Sequence, residues 1–144
     1  MKRHLHIPVL IVALVTLFAS TVAAQTTSPK RVIAKIPFAF TVGKTNLPAG
    51  KYAISVLNPS SDRTVLQIRS VDGPASAIVL TNTVNGSPAK NAKLVFERYD
   101  DRYIFNQAQM AGESISFEAL HSKAQRKQMV AATGKKLMVV ITIG

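Results

Sequence analysis

Residues 31–56 read RVIAKIPFAFTVGKTNLPAGKYAISV, and this stretch decides the fold class. Val32, Ala34, Ile36, Phe38, Phe40 and Val42 recur at every second position, with Arg31, Lys35 and Thr41 between them. Neighbouring side chains of a strand point to opposite faces, so this period marks a half-buried strand rather than a helix. Pro37 has no N–H to give to a ladder, which makes the strand an edge, or bulged, at that point. Asn46-Leu47-Pro48-Ala49-Gly50 reads as a turn, since proline presets one dihedral and glycine closes the corner. Tyr52, Ile54 and Val56 then resume the alternation.

The same pattern extends outward along the chain. Residues 64–71 form a further strand with Leu66 and Ile68 inward, and Asp72-Gly73 predicts a tight hairpin into a strand over 75–84. Asp100-Asp101 predicts another hairpin between strands over 92–99 and 102–108, with Phe96, Tyr99, Tyr103 and Phe105 near its corner. Residues 114–132 have helical character: Phe117, Leu120, Ala124 and Val130 fall on one stripe. Glu113 and Glu118 precede Lys123, Arg126 and Lys127, an order that complements a helix dipole. Thr133-Gly134 ends that helix, and 137–143 is a continuous apolar run suited to a strand covered on both faces. The expectation is a mainly β fold, an antiparallel β-sandwich or small barrel of about seven strands with one helix in its C-terminal region.

The start of the chain carries a different signal. A basic opening, Met1-Lys2-Arg3-His4, leads into an apolar run over 7–18 and then small residues over 19–25. Val22 and Ala24 stand three and one before Gln25, the arrangement of a secretory cleavage site. The run is shorter than the ~20 residues that span a bilayer. The chain is thus expected to comprise a signal peptide over 1–24, a flexible arm over 25–31 and a single domain over 32–144, working in the periplasm or outside the cell. Removing 24 of the 144 residues leaves 120, with 16 basic residues against 7 acidic, a net charge of +9. That balance favours anionic neighbours. There is no cysteine, so disulfides, thiolate chemistry, Cys-based zinc sites and a lipidated cysteine are all excluded. The apolar run over 137–143 is too short for a membrane span, so none is expected after processing.

Ile36-Pro37-Phe38, Phe40, Val42-Gly43 and Leu47-Pro48-Ala49-Gly50-Lys51-Tyr52 together resemble the opening of a group of small exported bacterial β-rich proteins of unassigned function. Residues 66–70, 75–82, 93–96 and 102–103 continue the similarity, which covers most of 31–108. The resemblance implies an exported β-rich domain and carries over no activity and no site residues.

Catalytic constellations are not recognisable. Once the leader is removed, His121 is the one histidine left, and it lies among Lys and Arg. Glu118 and His121 have the Glu-x-x-His spacing of carboxylate-bridged metal sites, but the further carboxylates and second motif of such sites are missing. Asp100-Asp101 fits a hairpin corner better than a calcium loop, which needs about 6–8 oxygens. Asn85-Gly86-Ser87 fits a turn as well as a glycosylation triplet. No enzyme activity, cofactor or metal is therefore expected. The basic residues Lys123, Arg126, Lys127, Lys135 and Lys136 are the candidate anion-binding surface, against the plainer reading of a solvated helix face. No aromatics are interleaved with them, so no specific nucleic-acid partner is expected. Three functions stay open. The first is a non-catalytic, envelope-associated interaction or structural module binding an anionic surface polymer or lipid head groups. The second is a carrier holding a small apolar ligand among Phe38, Phe40, Tyr52, Phe96 and Phe105. The third is a hydrolase with an acid beside Tyr99 or Tyr103 in a cleft.

Overall fold

The computed structural model describes residues 30–59, 61, 63–131 and 136–144. The expected leader, most of the arm, the helix-ending Thr133-Gly134 and Lys135 lie outside the described residues. The alternating run divides at Pro37 into β1 (Arg31–Ile36) and β2 (Phe40–Val42). Ala34, Ile36, Phe40 and Val42 are all buried and Phe38 packs on them, so one face stays inward across the break. What changes is the partner. β1 pairs antiparallel with β4 (Gly50–Val56), whereas β2 forms a hairpin with β3 (Thr45–Leu47) and runs parallel to the start of β8 (Arg102–Gln109). Gly43 opens the two-residue hairpin turn at φ 58°, a conformation that glycine adopts without steric cost. The Leu-Pro-Ala-Gly-x-Tyr turn has its own lock: the hydroxyl of buried Tyr52 donates to the Pro48 carbonyl at 2.7 Å.

From β4 the sheet continues antiparallel through β5 (Thr64–Ser70), β6 (Ser76–Asn85) and β9 (Ile115–Ala119) to β8, then β7 (Ala92–Tyr99) and β10 (Leu137–Ile143). These ten strands make one sheet that does not close; β1 and β10, at its ends, approach each other without pairing. Among the described residues no helix is long and apolar enough to cross a membrane.

β8 is the branch point. One edge pairs with β7 along its length, while the other pairs with β2 at Tyr103 and Ile104 and with β9 from Gln107 to Gln109. Between those stretches the register against β7 jumps from Val95↔Gln107 to Phe96↔Phe105, leaving Asn106 as an extra residue. A bulge of this kind inverts the side-chain parity of the strand. Phe105 before it and Ala108 after it therefore both join the core, with Tyr103 packed alongside. Phe96 is the hub, its ring centroid 5.2 Å from Phe38, 5.4 Å from Phe40 and 5.8 Å from Phe105, all edge-on.

Several expectations need correction. The stretch 114–132 is not one helix: β9 occupies its first part, and α1 spans only Lys123–Ala131. Over so short a run, apolar residues at 117, 120 and 124 suit either period. The open edges of β6 and β8 decide the matter, because their backbone groups need partners. Phe117 and Ala119 are buried in the resulting strand, while Val130, assigned to the same stripe, is 85% exposed. α1 begins at a reciprocal cap: Gln125 N–H donates to Ser122 Oγ at 3.2 Å, and Ser122 N–H donates to Gln125 Oε1 at 2.9 Å. Glu113 and Glu118 thus lie outside the helix, and Lys123 occupies its first turn. Among the described residues the strands number ten rather than about seven, since β2, β3 and β9 are short pieces that pattern reading merges or misses. Asp72-Gly73 sits in a longer loop closed by Ser70 N–H donating to the Ala75 carbonyl at 2.7 Å. Asp100-Asp101 does form a two-residue turn, with Asp100 at φ 53°. β10 is an edge strand with Met138 and Val140 about half exposed, not one covered on both faces. Arg31, expected in the arm, opens β1 opposite Ser55.

Candidate functional site

α1 lies outside the sheet, over the corner where β2, β3 and β8 meet. Gln125 fastens it there: its Nε2 donates to the Gly43 carbonyl while its Oε1 completes the cap. Between helix and sheet runs an open cleft of about 460 Å³. Ala124, Gln128 and Met129 form the helix wall, spaced so that they share one face. Lys44 and Asn46 stand opposite on the hairpin, and Tyr99, Ile104 and Arg102 come from the β7–β8 side. Among the described residues no carboxylate lines it.

Immediately behind Tyr99 lies a buried polar cluster. Glu97, only 5% exposed, accepts a hydrogen bond from the Tyr99 hydroxyl at 2.7 Å and an ion-paired one from Lys136 Nζ at 2.7 Å. Burial alone would raise its pKa, but the hydrogen bonds from Lys136 and Tyr99, with the lysine's charge, outweigh that and hold the carboxyl below its usual range. Tyr99 moves the other way: burial first, then its bond to anionic Glu97, push its pKa up to about 12. His121, in the segment leading into α1, is held neutral mainly by burial; Lys136 and Arg126 add to the effect, and Glu97 and Glu118 oppose it. Its Nε2 is buried with no hydrogen-bond partner among the described residues.

This arrangement has the feature the hydrolytic reading asked for, an acid beside Tyr99 at a cleft. Its chemistry is nonetheless that of an anchor. A phenol with a pKa near 12 remains protonated and donates, and Glu97 already accepts two strong bonds. Together they pin the entrance of β10 to the outer face of β7.

Of the residues read as an anion-binding surface, Lys123, Arg126 and Lys127 are all exposed on the side of α1 away from the cleft. Lys136 is instead committed to Glu97, and Lys135 lies outside the described residues. Phe38, Phe40, Tyr52, Phe96 and Phe105 pack on one another, and neither described cavity is lined by any of them. Among the described residues no three metal-binding side chains gather, around Glu118 and His121 or elsewhere. Sequence reading missed Lys44, Arg102 and the Glu97–Tyr99 pair as parts of one place. The i, i+2 spacing of Glu97 and Tyr99 in a strand does put them on a common face. Nothing in that spacing tells that His121 and Lys136, far along the chain, cover them. Comparison of the chain with protein-family models, with curated proteins and with solved structures finds no match.

Proposed function

We propose that this protein is an exported, non-catalytic binding module whose basic helix face engages an anionic polymer of the cell envelope, on a sheet curled into an open, barrel-like body. The observation that carries the reading is the charge pattern of α1. Lys123, Arg126 and Lys127 share its solvent side, and no acid stands in its first turn. A cation in the first turn opposes the helix dipole, by roughly 0.3–1 kcal/mol. The helix gains nothing from Lys123 there, so the charge has an external use. The net charge of +9 that remains once the leader is removed adds long-range attraction to the same targets. The non-catalytic part of the reading is supported by the state of Glu97, the acid behind cleft-lining Tyr99, which is ionised and already accepts from both Tyr99 and Lys136.

The test is retention on immobilised polygalacturonate across a salt series, with phosphatidylcholine/phosphatidylglycerol vesicles in parallel. Retention should fall steeply with salt, and Lys123→Gln/Arg126→Gln/Lys127→Gln should abolish most of it. Retention indifferent to salt, or unchanged in the triple variant, refutes the reading. Binding to the vesicles alone transfers the function to lipid.

A further inference from the structure

We infer that the cleft between α1 and the β2–β3 hairpin is a subsite for a single acidic sugar unit; this rests on the polymer reading and supplies its selectivity. The volume, about 460 Å³, lies within the roughly 300–1,000 Å³ of small-molecule sites. Its chemistry is one-sided. Lys44 and Arg102 approach from two different elements, and among the described residues no carboxylate is present and neither cation is ion-paired. The acids nearest in sequence, Asp100 and Asp101, do not line it; Asp101 faces Arg98 at 3.7 Å.

The neutral groups narrow the ligand further. The Asn46 side chain accepts from Thr41 Oγ1 at 2.7 Å through its oxygen, which leaves its amide N–H₂ free to donate. Gln128 carries a second amide into the cleft, one helical turn beyond Ala124, and makes no hydrogen bond among the described residues. Gln125 is held in place instead, one bond at each end of its amide fastening the helix start to the hairpin. Ile104, Met129 and Ala124 add an apolar surface. A ligand matching all three features has one anionic group, several hydroxyls and an apolar ring face. A uronic acid residue has that composition, whereas a bare phosphate would leave the apolar wall unmatched. Arg102 suits the carboxylate, since its planar fork can donate twice.

The experiment uses trigalacturonate as probe and neutral galactotriose as control, titrated calorimetrically into the protein. Trigalacturonate should bind, and galactotriose should bind at least about ten-fold more weakly, as loss of a charged hydrogen bond implies. Lys44→Gln/Arg102→Gln should weaken trigalacturonate by about ten-fold or more. Ala124→Phe, which fills the cleft without touching charge, should do the same; circular dichroism confirms that both variants fold. If the trimer does not bind while polygalacturonate is still retained in a salt-sensitive way, the subsite is refuted and the polymer reading stands. If the trimer binds equally to wild type and Ala124→Phe, the cleft is not its site. If the trimer binds as expected but polymer retention ignores the helix-face substitutions, the polymer reading fails and the cleft survives as a site for short acidic sugars.

Discussion

Replacing Tyr99 by phenylalanine tests the buried cluster that holds the C-terminal segment in place. The Tyr99 hydroxyl donates at 2.7 Å to ionised Glu97, and a hydrogen bond to a charged group contributes about 1.5–3 kcal/mol. Glu97 keeps Lys136 in the variant, so the loss at neutral pH should lie toward the lower end of that range. The alkaline limb is more specific. Tyr99 titrates near 12 in the folded protein against about 10 when unfolded, and two units at 1.36 kcal/mol each amount to about 2.7 kcal/mol. A pKa raised by folding contributes stability that is fully present below the unfolded value and is lost as pH rises through the folded one. Urea unfolding of wild type and Tyr99→Phe, followed by far-ultraviolet circular dichroism from about pH 8 to about pH 12, isolates this contribution by difference. The gap between the two should hold steady to about pH 10 and then close over the next two units or so. A gap that stays constant to pH 12, or no gap at neutral pH, would refute the reasoning.

Acidification should weaken the protein in two stages. His121 has a depressed pKa, so its neutral form stabilises the fold above the unfolded value near 6.5 and that contribution fades below it; Glu97, also depressed, follows below about 4.3. His121→Asn should remove the first stage in the same unfolding measurement and leave the second. Ser122→Ala removes one half of the helix cap at about 1 kcal/mol, and hydrogen exchange should show faster amides confined to α1. Protection of α1 equal to wild type contradicts the capping role. Deleting Asn106 removes the bulge and leaves Phe105 and Ala108 two positions apart, so both still face the core; cooperative thermal unfolding should persist, and its loss would contradict the reading of Asn106 as the extra residue.

What could be read in the sequence was whatever depends on near neighbours. The alternation from Val32 to Val42 placed the right side chains inward even though the strand breaks at Pro37, because parity survives a corner. Asp100-Asp101 was legible for the same reason. The stretch from Ile115 to Ala119 was not, since its choice of strand over helix depends on edges offered by β6 and β8, remote in the chain. The misread helix start then reversed the meaning of its charges: Lys123 seemed well placed late in a long helix and is instead in the first turn of a short one. The cleft assembles side chains from Thr41 to Met129, and the one local hint, the Glu97–Tyr99 spacing, concerned the cluster behind it. The Ser122-x-x-Gln125 cap was also within reach, as the standard reciprocal pattern before a helix.

The pairing of Phe40 with Tyr103 has a kinetic corollary. Those partners are 63 positions apart, and β6 with β9 and β7 with β10 also join distant segments, so neighbouring strands can zip outward from their turns but their union into one sheet cannot. Loop-closure entropy must be met before such contacts reward it, which puts assembly in the slow, millisecond-to-second class of β proteins. The hydrophobic hub around Phe96 is not fully covered until β10 has paired with β7, and until then the exposed face leaves the chain vulnerable to self-association.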